Sequence, residues 1–372
     1  MGRTMSSARR EKQLGAPHGT VVVAPDSFKG SFTAREVAAA IAAGVLDAGR
    51  EALELPIADG GEGTMEVLAA ALGAEVRTES VHDALGRVVN ASFAVLPDGQ
   101  TAIVEMAQAS GLGRVGSSER DPWAASTYGT GELVAAAARA GARKVIVTVG
   151  GSATTDGAAG ALAALDEAGV DVELDVVCDV DTVWELAPSL YGPQKGADPE
   201  TVRRLERRLD ELAAHALPGR DPRGVPMTGA AGGLSGGLWA FRGAKLVRGA
   251  AYVLDMVGFD ELAAGADVVV TGEGRLDDQT LEGKAVAEVS ARCRALGVPC
   301  HAVVGECALA PPGVARLGLD GVSEATTLAE LREAGARLAR AAIPGPRAWQ
   351  SGSPRPGAPP HGRSRGRSDR GS

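Results

Sequence analysis

Val21-Val22-Val23-Ala24-Pro25-Asp26-Ser27-Phe28-Lys29-Gly30-Ser31-Phe32-Thr33 joins an unbroken apolar run to a polar loop, and Ala34-Arg35-Glu36-Val37 follows it. An apolar run without polar alternation is buried on both faces, as strands inside parallel sheets are. Thr33 and Glu36 have the spacing of a capping box. Val37, Ile41 and Val45 then recur at helical spacing. The stretch therefore reads as a strand, a polar loop and a helix. The same order returns along the chain. Leu53–Ile57 leads into Ala58-Asp59-Gly60-Gly61-Glu62-Gly63-Thr64 and a helix ending at Leu72 before Gly73. Val145–Val149 leads into Gly150-Gly151-Ser152-Ala153-Thr154-Thr155-Asp156. Val268–Val270 leads into Thr271-Gly272-Glu273-Gly274-Arg275-Leu276-Asp277 and a helix through Val286, Val289 and Cys293. Cys300–Val304 supplies one further strand. In such sheets ligands bind outside the carboxyl ends of the strands, where these polar loops lie.

The rhythm breaks between Glu75 and Gln108. Glu75–Val81, Val88–Leu96 and Thr101–Ala107 alternate and read as antiparallel strands, with the turn Pro97-Asp98-Gly99 between two of them. The expected fold class is α/β, a parallel-sheet domain with a second α/β domain inserted into it. The first domain takes residues 20–76 and 246–343, and the insert takes 77–245. Pro199–Leu217 reads as a helix with a heavily charged face. Residues 1–19 read as a disordered extension, and residues 344–372, rich in Arg, Pro, Gly and Ser, as a disordered tail.

Composition narrows the function. Of 372 residues 45% are apolar but only 3% aromatic, so Ala, Val and Leu must build the core. The net charge of −9 includes +3 from residues 1–19 and +5 from residues 344–372, leaving a body of −17. So acidic a body argues against nucleic acid as a partner. Four cysteines without a C-x-x-C and five scattered histidines argue against a disulfide framework or structural zinc. No stretch has signal-peptide character or transmembrane length, so the expected location is cytoplasmic, with no membrane partner.

Generic motifs fail. Gly283-Lys284 is followed by Ala285 and lacks the upstream Gly of a Walker A sequence. Gly111–Gly116 spells G-x-G-x-x-G but neither follows an apolar strand nor opens a helix, which argues against a nicotinamide dehydrogenase. What remains suits phosphoryl transfer, a reaction that needs placement and charge neutralisation. Gly-rich turns can cradle phosphate oxygens, carboxylates can hold Mg²⁺, and cations can offset transferring charge. The loops supply Asp26, Asp59, Glu62, Asp156, Asp179, Asp181, Glu273 and Asp277 as carboxylates, and Lys29, Lys195, Arg275 and Lys284 as cations. This inventory leaves individual roles open.

Longer strings narrow the reading further. Val21–Ser31, Pro56–Thr64 and Gly150–Gly157 resemble, in order, three signatures of the bacterial glycerate kinase family that lacks a Walker motif. Tyr191–Ala197, Gly229–Gly233 and Thr271–Asp277 through Lys284 continue the resemblance, which covers about Thr20 to Val304. It implies ATP-dependent phosphorylation of D-glycerate, usually at the 2-hydroxyl, with Mg²⁺. It also implies that the first domain is flavodoxin-like and that the site lies in the cleft between domains.

On one wall are expected Asp26, Ser27, Lys29, Asp59, Gly60, Gly61 and Arg275 for substrate, with Glu273 for metal and Asp277 as the first choice of general base. On the other are expected Gly150, Gly151, Ser152, Thr154, Thr155, Asp156 and Gln194 for nucleotide, and Asp181 for metal. Asp179 and Lys195 complete the catalytic set there, Lys195 held in the turn of Gly192, Pro193 and Gly196 to meet a phosphate. A homodimer stays open. One departure stands out: Thr182–Leu190 replaces the family's Asn-Pro and Gly-rich loop, and places the bulky Trp184 and Leu186 in the cleft or on the neighbouring domain. A catalytically impaired, small-acid-binding relative is the alternative expectation.

Overall fold

β1 (Thr20–Pro25) is the buried strand that the opening run implies, with Val21 through Ala24 wholly inaccessible to solvent. Val22 and Ala24 pack with Leu254, Phe259 and Val289 on one face. Val21 and Val23 pack with Val37, Ile41 and Leu331 on the other. Burial on both faces is the reason the run carries no polar alternation. The structure, a computed structural model, describes residues 19–341. The segments 1–19 and 344–372 expected to be disordered lie outside the described residues, Gly19 excepted.

Among the described residues ten strands follow: β2 (Glu51–Glu54), β3 (Glu75–His82), β4 (Val88–Val95), β5 (Thr101–Glu105), β6 (Lys144–Val149), β7 (Glu173–Cys178), β8 (Lys245–Arg248), β9 (Val268–Leu276), β10 (Cys300–Cys307) and β11 (Gly321–Glu324). The first sheet runs β2-β1-β9-β10-β11, and every pair in it is parallel. With β3–β8 set aside, that is second-first-third-fourth-fifth along the chain, the flavodoxin-like order. The second sheet runs β3 to β8 in order; its first two pairs are antiparallel and the rest parallel.

The helices of eight residues or more are α1 (Ala34–Asp47), α2 (Thr64–Leu72), α3 (Tyr128–Arg139), α4 (Ala159–Glu167), α5 (Pro199–Ala213), α6 (Ala230–Arg242), α7 (Gly249–Val257), α8 (Ala285–Leu296) and α9 (Leu328–Ala341). Thr33 and Glu36 do form the capping box of α1. α2 and α7 join the two halves: Leu68 and Val253 share one core with Ile103, Ile146 and Val177 of the second sheet. Leu133, Leu165 and Leu234 of α3, α4 and α6 pack together with the other face of that sheet. Among the described residues no helix is long and apolar enough to cross a membrane.

Several boundaries move. Thr271–Leu276, read as loop, is strand, because β10 extends to pair Glu306 with Arg275 and Cys307 with Leu276. β2 ends at Glu54, although the Leu55 and Ile57 N–H groups still donate to Val23 and Pro25. β8 pairs with β7 and so belongs to the second sheet. α5 stops at Ala213.

The Thr182–Leu190 segment also differs from expectation. Trp184 enters neither cleft nor neighbour but is fully buried with Ala187, Leu209 and Ala213, its Nε1 donating to the Leu209 carbonyl at 3.0 Å. Leu186 is exposed.

Candidate active site

β1 and β9 are adjacent where the strand order reverses, so the loops beyond their carboxyl ends part and leave a crevice. Asp26 stands at the end of β1. Its N–H donates to the Gly272 carbonyl at 2.8 Å, and its Oδ1 accepts from the Ser27 N–H at 2.6 Å. Glu273 of β9 accepts from the Thr280 hydroxyl at 2.6 Å. Asp59 accepts from the Gly61 N–H at 3.0 Å, and its Oδ2 lies 3.5 Å from Lys29 Nζ. The Lys29 side chain is otherwise 62% exposed.

The second sheet meets this wall through glycines. Gly60 has φ +100°, and a Cβ there would stand 2.8 Å from Gly249 Cα at the start of α7. A Cβ on Gly150 would stand 2.6 Å from Gly61 Cα and 2.9 Å from Asp179 Oδ2. Only residues without a Cβ let the Asp59 loop, the Gly150 turn and Asp179 close on one another. Asp179 follows β7, so this contact carries a carboxylate of the second sheet to the first.

Four carboxylates thus crowd one place. Burial, then Asp59, pushes Asp26 up to about 8. Burial, then Asp59, pushes Asp179 up to about 7. Burial also pushes Glu273 up to about 7, with Asp277 and Asp59 adding to it and Thr280 and Lys284 opposing it. Lys29 is raised, chiefly by Asp59.

Two cavities flank this cluster. The smaller, about 280 Å³, is lined by Asp26, Ser27, Lys29, Asp59, Glu273, Arg275, Asp277 and Lys284. It gathers five of the seven residues expected for substrate. Gly60 and Gly61 are instead spacers in the interlock. The larger cavity, about 580 Å³, shares Asp26, Ser27, Phe28, Lys29 and Ser31 and continues past α2 to Glu105, Gln108 and Asp179.

The residues expected for nucleotide fare differently. Of Gly150–Asp156, Gly151 alone lines the larger cavity. Ser152, Thr154, Thr155 and Asp156 are buried within the second half. Asp156 accepts from the Thr127 N–H and hydroxyl and from the Gly160 N–H, bracing the start of α4. Lys195 is 2% exposed and donates inward, to Ser152 Oγ at 2.7 Å and the Thr154 carbonyl at 2.6 Å. It ties the Ser152 loop down rather than facing an open site. Gln194 is exposed, and its carbonyl accepts from Arg120. Asp181 pairs with Arg248 at 2.7 Å and, unlike Glu273, lines neither cavity. Among the described residues no three His, Cys, Asp or Glu side chains form a ready metal cage.

Nor are the first turns of three helices open to phosphate. α1 is closed by its capping box, α4 by Asp156, and α2 by Glu105, whose Oε2 accepts from the Gly63 and Met65 N–H groups at 3.0 Å each. α8 has no side-chain cap, and Lys284 occupies its N-cap position. The sequence inventory includes Lys284 among its cations but gives it no role. Glu105 stands outside the sequence inventory because Thr101–Ala107 reads as antiparallel, whereas β5 runs parallel to β6 and carries this carboxylate at its carboxyl end.

Residues 21–171 and 165–342 match the glycerate kinase family. The chain belongs to the glycerate kinase family. It is 40% identical over 339 residues to glycerate kinase of Halalkalibacterium halodurans, which spans 81% of this chain and 89% of that relative. It is 36% identical over 353 residues to glycerate 2-kinase of Escherichia coli K12, covering 84% and 92%. A crystal structure from Salmonella typhimurium LT2, provisionally named glycerate kinase 2, superposes with a TM-score of 0.75 at 33% identity, covering 87% of this chain and 98% of that one. The protein is therefore a kinase of this family.

Proposed function

We propose that this kinase transfers the γ-phosphoryl group of ATP to the 2-hydroxyl of D-glycerate, with Mg²⁺, in the crevice between the two sheets. The observation that carries the reading is the wall common to both cavities, where Asp26 and Lys29 stand beside carboxylates from either half. Arg275 and Lys284 suit the carboxylate of a small acid, Arg through its forked donors. Asp179 is our choice of base in place of Asp277. It lines the larger cavity from the half opposite the acid-binding residues and closes on the Asp59 loop that lines the smaller, and a proton affinity near neutrality suits removal of a hydroxyl proton.

The donor set fits Mg²⁺, which is held by one or two carboxylates together with substrate phosphates rather than by a protein cage. Asp26 and Glu273 are the carboxylates we assign to it, since each is raised by burial, with acidic neighbours adding to it, and its charged form would be favoured by a cation. When bound, the ion offsets charge on the phosphate oxygens. Lys29 adds a fixed positive charge at the same wall. A cytoplasmic location belongs to the same proposal.

A coupled ADP-release assay with D-glycerate, hydroxypyruvate and tartronate tests this, with ³¹P NMR of the product. D-Glycerate should turn over best and give the 2-phosphate. Glycerate binding by calorimetry without ADP release would favour an impaired binding protein instead. A 3-phosphate product would reverse the choice of hydroxyl.

A further inference from the structure

We infer that the larger cavity holds the nucleoside end of the phosphoryl donor, and that the smaller one holds the acid and the transferring phosphate. The inference rests on the kinase reading above and locates its two substrates. It departs from the sequence expectation, which put the nucleotide on Gly150–Asp156.

Size separates the cavities first. About 580 Å³ falls within the range of roughly 300–1,000 Å³ typical of pockets for drug-sized ligands, whereas a three-carbon acid would leave most of it empty. Lining separates them next. The larger cavity has an apolar wall of Phe28, Phe32 and Val67, backed by the fully buried Ile57, against which a base can lie. The smaller has no comparable wall.

Charge gives the orientation. Six carboxylates and two cations line the larger cavity, against four carboxylates and three cations in the smaller. Carboxylates repel phosphate but accept hydrogen bonds from ribose hydroxyls and from an exocyclic amine. Gln108 adds one group that both donates and accepts, as a base edge requires. The donor is thus turned with its nucleoside towards α2 and Glu105, and its phosphates towards Lys29. The shared wall of Asp26 and Lys29 is where the phosphoryl group crosses from one cavity to the other.

Ala70 allows a test without disturbing the core, because it lines the larger cavity from α2 yet is exposed. Ala70→Trp fills that space, and Ala70→Leu fills less of it. Both should melt as the unaltered chain does. Titration calorimetry with ADP and with D-glycerate, each alone, then reads the two cavities separately. We expect the Kd for ADP to rise at least about tenfold in Ala70→Trp and less in Ala70→Leu, with the Kd for glycerate within about twofold. An unchanged ADP affinity in Ala70→Trp would overturn the inference and leave the kinase reading standing. A raised Kd for glycerate with ADP binding intact would reverse the two cavities. An unaltered chain that binds neither ligand would remove the kinase reading and the inference together.

Discussion

Replacing Lys195 by methionine nearly preserves the volume of a buried side chain and deletes two hydrogen bonds, to Ser152 Oγ and to the Thr154 carbonyl. The hydroxyl and carbonyl left behind are themselves buried. Each unpaired buried group costs about 1–3 kcal/mol, so the variant should lose about 2–6 kcal/mol where the lysine is neutral. Burial pushes the Lys195 amine down to about 7 from its ordinary 10.5, against the pull of Asp156 and Asp179. Between those two values the unfolded chain carries the proton and the folded chain does not. The unfolded state then binds more protons, so stability of the unaltered protein rises with pH across that window, by at most about 1.4 kcal/mol per unit. Methionine has no proton to bind and lacks this slope. Urea unfolding of both proteins from about pH 7.5 to about pH 9.5 should show a stability gap that widens by about 2–3 kcal/mol. A gap that stays constant would refute the buried-amine reasoning. A gap of zero together with a large loss of turnover would restore Lys195 as a phosphate contact.

Asp179→Asn should lower kcat by about 10²–10⁴-fold while Asp277→Asn keeps most of it. In the unaltered enzyme kcat/KM should climb as pH rises through about 7, because the raised Asp179 must lose its proton to act as base; a normal kcat in Asp179→Asn would return the role to Asp277. Gly150→Ala forces a methyl group against Gly61 and Asp179. A shift of about 1 Å there should cost on the order of a hundredfold in kcat, and undiminished kcat would mean that the interlock does not set the geometry. Trp184→Ala should destabilise by about 3–5 kcal/mol in a denaturant melt. Grafting an Asn-Pro, Gly-rich loop over Thr182–Leu190 should therefore lower Tm rather than raise kcat, and a graft that melts normally with higher turnover would show that the native segment restrains catalysis.

The α/β class was legible in the chain because burial writes itself into local pattern. Val21–Ala24 has no polar alternation since both faces are covered, and Val37, Ile41 and Val45 repeat at the helical period since one face is. The polar loops at strand ends were legible for the same reason: a carboxylate such as Asp26 or Asp59 beside glycine interrupts the apolar pattern. The family was legible in the order of its strings. What local pattern does not encode is which distant loop stands opposite. Asp179 reaches Asp59 because Gly61 and Gly150 lack side chains, a relation visible only when the two halves are closed together. The same closure seals α2 with Glu105, while packing within the second half turns Lys195 inward. A lysine between glycines reads alike whether its amine meets solvent, a phosphate or a buried carbonyl. Tertiary packing alone chose the carbonyl, because it is the acceptor left within reach once water is excluded.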